Sequence, residues 1–140
     1  MPKARRSIGP YELLDELGRG GAGVVYRARR EDLARPVALK LILRARANPT
    51  SLGRFEREAL ALAKVRHPNV VRVHELGLAE QGPYLVTELV EGQSLDALSD
   101  GNPMPPRRAA EIAHGLADAL AAIHEVGVVH RDLKPGNVLI

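Results

Sequence analysis

The sequence contains no cysteine and no tryptophan, and its only aromatic residues are Tyr11, Tyr26, Phe55 and Tyr84. Without thiols it can hold neither a disulfide framework nor a thiolate-bound metal, which fits a reducing compartment. The core must be built from Leu, Val, Ile and Ala. Nowhere do about 20 apolar residues run together, and the start, MPKARRSIGPYELL, has too short an apolar stretch for a secretory signal. The chain is therefore expected to be soluble and cytoplasmic, with no membrane segment. The five histidines, at positions 67, 74, 114, 124 and 130, lack metal-ligand spacing. A large excess of one charge is also missing, since 20 Lys and Arg against 17 Asp and Glu leave +3. Basic residues do crowd the first 46 positions, 11 against five acids, but they are scattered among apolar strand residues. No aromatics interleave with them for base stacking, so no nucleic-acid partner is expected.

What is present is a chain of 140 residues, 45% hydrophobic and 26% charged, which fits a single globular folding unit. Residues Tyr11 to Leu17 and Gly23 to Arg29 read as strands flanking a glycine-rich turn, and Pro36 to Leu43 as a third. From Leu52 to Val65 the residues Leu52, Phe55, Ala59 and Leu62 recur at helical spacing, with Glu58 on the flank of that face. His67-Pro68-Asn69 should end this helix, because Pro cannot continue it. Val70 to Leu78 and Tyr84 to Val90 read as two further strands across the polar turn Glu80 to Pro83. A short helix near Leu95 to Leu98 and a long amphipathic helix follow. The apolar face of the latter is Ile112, Leu116, Ala119, Leu120 and Ile123. A sheet-rich part and a helical part should meet near Glu91-Gly92.

Four constellations carry chemistry. Leu17-Gly18-Arg19-Gly20-Gly21-Ala22-Gly23 contains GxGxxG, whose missing side chains let backbone N–H groups approach phosphate oxygens. A plain hairpin turn would use the same glycines. A dinucleotide-binding fold would need them to open a helix, whereas Val24-Val25-Tyr26 continue as a strand. In Val37-Ala38-Leu39-Lys40, strand alternation puts Ala38 and Lys40 on one face, where Lys40 could meet phosphates and Glu58 could pair with it. A solvated strand-end lysine is the plainer reading of that residue alone. The strand Tyr84 to Val90 could offer backbone groups of Glu88 and Val90 to an adenine edge, although spacing by itself does not show this. His130-Arg131-Asp132-Leu133-Lys134-Pro135-Gly136-Asn137 is the most specific stretch. Asp132 can accept a hydroxyl proton, Lys134 can neutralise a transferring phosphoryl group, and Asn137 can hold magnesium. His130 is expected to be a packed, hydrogen-bonded scaffold residue rather than an acid or base.

In this order and spacing, from about Tyr11 to Ile140, the four constellations resemble the eukaryotic-type protein kinases. Lys134 after the HRD triplet is similar to the serine/threonine branch, and the Ala-, Arg- and Leu-rich texture to bacterial members. The resemblance implies an α+β, protein-kinase-like fold: a tail over 1–10, a five-stranded antiparallel N-lobe with one helix over 11–90, and a partial helical C-lobe over 91–140. It implies ATP and Mg2+ as cofactors and a protein substrate with a Ser or Thr acceptor. Leu17 and the backbone of Gly18, Gly20 and Gly23 would cover the nucleotide, with Val25, Ala38 and Leu139 around the adenine. Lys40 would hold the alpha and beta phosphates and pair with Glu58. Thr87 would be the gatekeeper, and backbone at Glu88 and Val90 would read adenine. Asp132 would be the catalytic base, Lys134 would steady the gamma phosphate, Asn137 would ligate magnesium, and Arg131 would contact a phosphorylated activation loop. The sequence ends three residues after Asn137, before any DFG triplet, and the expectation is a fragment inactive on its own. The alternative is a non-catalytic nucleotide-binding or interaction module.

Overall fold

Val37, Leu39 and Leu41 are buried while Ala38, Lys40 and Ile42 are half-buried, and this period of two defines a strand with a dry face and a wetter one. In the computed structural model, which describes residues 4–21, 23–43 and 48–140, this strand is β4 (Val37–Ile42) of an antiparallel sheet. The other strands are β1 (Ser7–Ile8), β2 (Tyr11–Gly20), β3 (Gly23–Arg29), β5 (Val73–Ala79) and β6 (Gly82–Glu88), in the order β1-β2-β3-β4-β6-β5. Residues Ser7–Ile8, read from the sequence as part of a tail, pair with Glu12 and Tyr11, and Ile8 is buried. The sheet thus has six strands where five were expected.

Two compact units divide the chain. One comprises Met1–Ala63 with Arg72–Leu89, the other Lys64–Val71 with Val90–Ile140. Segment 64–71, expected within the N-lobe, groups with the second unit. There Asn69 Nδ2 donates to the Gly115 carbonyl at 3.2 Å.

The core of the first unit is Ile8, Tyr11, Ala28, Val37, Leu39, Leu41, Tyr84 and Val86, so two of the few aromatics join the aliphatic residues expected from the sequence. Leu39 is fully buried, which contributes about 2 kcal/mol relative to exposure. Helix α1 (Pro49–Leu62) packs against β5. It starts three residues earlier than the apolar period suggested, because Asn48 caps it by accepting from Ser51 N at 2.8 Å and Pro49 occupies the first turn. It also stops at Leu62, short of the proline at 68.

Tyr11 and Tyr84 meet edge to face inside this core, and both hydroxyls donate to Glu75, at 2.9 and 3.5 Å. Arg30 reaches the same carboxylate at 3.3 Å and lies 5.8 Å from the Tyr11 ring centre. Burial is the main cause that raises both phenols above their usual value of about 10, and the Glu75 carboxylate adds to it. The unfolded chain then ionises these groups first. Stability should be complete below about pH 10 and fall as pH rises through the raised values. Urea midpoints measured from pH 8 upward should show that fall, less steeply for Tyr84→Phe; equal slopes in the two proteins would refute it.

In the second unit, α2 (Leu95–Ser99) is capped by Ser94 and ends on Asp100 in the left-handed region. Helix α3 (Pro106–Glu125) buries Ala119 and Ile123, while Ile112, Leu116 and Leu120 are half-buried. Beyond it lies a single 3₁₀ turn, Pro135–Asn137, against α2. Among the described residues no helix is long and apolar enough to cross a membrane.

Candidate functional site

The first unit contributes a hairpin and one sheet face. β2 and β3 pair down to Gly20 opposite Gly23, with register shifts between Leu13 and Asp15 and between Glu16 and Gly18. The glycines of this hairpin are not equivalent. A Cβ on Gly23 would lie 2.1 Å from the Leu41 carbonyl oxygen, so the fold itself demands glycine there. Gly18 and Gly20 would meet nothing within 4 Å. Their small size answers no internal packing need, and it leaves backbone open to an approaching group. Leu17, beside them, is 48% exposed, and Arg19 pairs with Glu16 at 2.7 Å. Ala22 lies outside the described residues.

Register then decides which side chains share a face. Val25 pairs with Lys40, Lys40 with Leu85, and Ala38 with Thr87. Directly opposed residues project to the same side of a sheet, so Val25, Ala38, Lys40 and Thr87 all lie opposite Leu39 and Leu41. The structure thus brings together four of the residues singled out from the sequence. Lys40 is half-buried and enters no salt bridge with the described residues of this unit. Glu58 sits half-buried on α1.

At the end of β6, Thr87 Oγ1 donates to the Glu88 carbonyl at 3.1 Å, and Glu88 N donates to the Arg72 carbonyl at 2.9 Å. Glu88 therefore keeps only its carbonyl for any outside partner on the main chain.

The second unit contributes the loop. Residues Gln93 to Leu95 run antiparallel to Val138–Ile140, with Ile140 N on the Gln93 carbonyl at 2.9 Å and Leu95 N on the Val138 carbonyl at 2.7 Å. Gly92 permits this closeness, because a Cβ there would stand 2.3 Å from the Ile140 carbonyl oxygen. Leu139, in this ladder, is 46% exposed, and Val90 is half-buried. The ladder holds the end of a loop in which Arg131 adopts φ +67°, a left-handed conformation that a non-glycine residue takes at a cost.

Within that loop Asn137 Nδ2 donates to the Asp132 carbonyl at 2.7 Å and to its Oδ2 at 3.3 Å. Lys134 Nζ stands 3.4 Å from the same Oδ2. Asp132, Lys134 and Asn137, chosen from the sequence for phosphoryl transfer, therefore converge on one carboxylate. His130 Nδ1 accepts from Asp132 N at 3.2 Å, as a scaffold role requires, but the residue is exposed and not packed. Among the described residues no cluster of three His, Cys, Asp or Glu could hold a metal ion. The side-chain carbonyl of Asn137, turned away from the two bonds its amide makes, is nonetheless a hard oxygen of the kind magnesium takes.

Sequence reasoning missed the side-chain role of Glu88 and the close approach at Gly92. The first follows from a main-chain irregularity with no residue signature. The second had a signal, a glycine following the last sheet strand, that was read only as a boundary.

The protein kinase domain family model matches residues 11–140 of this chain. The chain belongs to the protein kinase family. It is 47% identical over 136 residues to serine/threonine-protein kinase pkn2 of Myxococcus xanthus, covering 94% of this chain and 16% of that protein. To serine/threonine-protein kinase PknB of Mycobacterium leprae it is 43% identical over 137 residues, covering 93% of this chain and 22% of the relative. The crystal structure of the Mycobacterium tuberculosis PknI kinase domain superposes with a TM-score of 0.85 at 28% identity, covering 96% of this chain and 56% of that one. The chain thus spans less than a quarter of the length of these curated relatives.

Proposed function

We propose that the chain carries the ATP-binding lobe and the catalytic loop of a cytoplasmic protein kinase that phosphorylates Ser or Thr hydroxyls. The observation that carries this reading is the convergence of Asp132, Lys134 and Asn137 within one loop. The names of the relatives, all serine/threonine-protein kinases, support the acceptor class.

Phosphoryl transfer needs little covalent work from a protein and much positioning and charge neutralisation. In this reading Gly18, Gly20 and Gly23 lay main chain over the phosphates, and Lys40 steadies the alpha and beta phosphates with Glu58 as its counter-ion. Val25 and Ala38 face adenine beside Thr87, while main chain at Glu88 reads its edge. Asp132 orients the acceptor hydroxyl and takes its proton, and Lys134 offsets charge on the transferring group. Asn137 has two tasks: its amide fixes the Asp132 carboxylate, and its carbonyl oxygen would hold magnesium. When bound, that ion supplies neutralisation of phosphate charge.

The test is single-turnover transfer of labelled terminal phosphate from ATP to a generic basic protein, followed by phosphoamino-acid analysis. Phosphoserine or phosphothreonine should form, and Asp132→Asn should slow transfer by roughly 100-fold or more. Phosphotyrosine as the product would overturn the acceptor class. ATP binding without transfer would leave the non-catalytic module as the better reading.

A further inference from the structure

In a hydrogen-bonded pair of an antiparallel ladder, each residue gives its N–H to the other's carbonyl. Arg72 and Glu88 break that reciprocity. Glu88 N donates to the Arg72 carbonyl at 2.9 Å, but Arg72 N donates to Glu88 Oε1, also at 2.9 Å. A side-chain carboxylate has replaced the main-chain carbonyl of its own residue. The replacement coincides with the irregularity between Val73 and Glu75 in β5, immediately beyond the pair. The Glu88 carbonyl, which does not take the Arg72 N–H, accepts from Thr87 Oγ1 at 3.1 Å, and a carbonyl oxygen has a second lone pair to offer.

We infer that the Glu88 carboxylate is a positioning and specificity device: by taking the Arg72 N–H, it keeps the Glu88 carbonyl free to accept from the 6-amino group of adenine. This rests on the reading above in which main chain at Glu88 meets adenine. The side chain suits the task by its reach, because its oxygen stands 2.9 Å from Arg72 N and occupies the donor that the Glu88 carbonyl would otherwise take. With the carboxylate removed, Arg72 N–H turns to the Glu88 carbonyl, and the purine amine meets an acceptor already occupied.

The experiment compares ATP with inosine triphosphate, which carries an oxygen in place of the 6-amino group. Affinities of both magnesium complexes are measured by calorimetry for the wild-type chain, Glu88→Ala, Glu88→Asp and Glu88→Gln. Glu88→Ala should bind ATP about fivefold more weakly and inosine triphosphate as before, so that the preference between them collapses. Glu88→Asp, too short to reach Arg72 N, should do the same. Glu88→Gln, whose amide oxygen accepts in the same place, should restore the preference. A structural role alone would weaken both nucleotides together, and that result, or an unaltered preference in Glu88→Ala, overturns the inference while leaving the nucleotide reading standing. A wild-type chain that binds neither nucleotide sinks both. Melting of each protein without nucleotide separates these outcomes from misfolding, and the Gln variant carries the test if Ala and Asp do not fold: a preference lost in Gln counts against it.

Discussion

Gly23→Ala is expected to cost about 3 kcal/mol of folding stability, whereas Gly18→Ala and Gly20→Ala should change it by less than about 0.5 kcal/mol. The asymmetry follows from what a methyl group would meet. At position 23 it would lie 2.1 Å from the Leu41 carbonyl oxygen, 3.2 Å from the Leu41 carbonyl carbon and 3.5 Å from the Ile42 Cα. All three are main-chain atoms of β4. No rotamer change can relieve the clash, and β3 must move away from the central strand of the sheet. Since Val24, next along β3, is buried and pairs with Leu41, that movement also loosens the core. At positions 18 and 20 the methyl enters open space. Those two variants should instead lose nucleotide affinity, because the added groups stand where main chain is proposed to approach phosphate. Urea denaturation of the three proteins decides the first half of the prediction, and an unshifted midpoint in Gly23→Ala would contradict it. Nucleotide titration decides the second.

The glycine pattern shows how legible the sequence was, and where it was not. GxGxxG pointed to phosphate, but only coordinates separate the glycine needed by the fold from the two that the fold could spare. Strand β3 was readable to the residue, since its alternation is bounded by Gly23 and by the polar Arg29-Arg30. The start of β5 was not: Val70 looked like its first residue, yet Val70 N bonds to the His67 carbonyl and Asn69 N to His67 Nδ1, so a local turn consumes those groups and the strand begins at Val73. β1 escaped notice because two residues carry no period. The loop from His130 to Asn137 was the most readable part. Its chemistry depends on residue types at fixed offsets, and a short loop with a proline and a 3₁₀ turn leaves few ways to arrange them. The pairing of Lys40 with Glu58 was not decidable in this way, because it depends on how a helix is set against a sheet. Alternation fixes the face of Lys40, and nothing in the sequence fixes the depth of α1.

That difference makes Lys40→Met the variant with the largest functional consequence. The substitution keeps most of the aliphatic stem, so packing beside Val25 and Leu85 survives and the stability of the protein without nucleotide should be nearly unchanged. What it removes is the ammonium that this reading sets against two phosphates. With ATP and magnesium at 100 times the dissociation constant, the wild-type chain should gain about 2.7 kcal/mol, a rise of roughly 8 °C in melting temperature. A hundredfold loss of affinity in Lys40→Met at the same ATP concentration would leave about 0.4 kcal/mol, or roughly 1 °C. Glu58→Gln belongs in the same experiment. If Glu58 acts as the counter-ion that steadies Lys40 when nucleotide is present, its variant should fall between the two. A shift equal to that of the wild type would detach Glu58 from the site and leave Lys40 to act alone. Full stabilisation of Lys40→Met by ATP would show that this sheet face does not bind the phosphates.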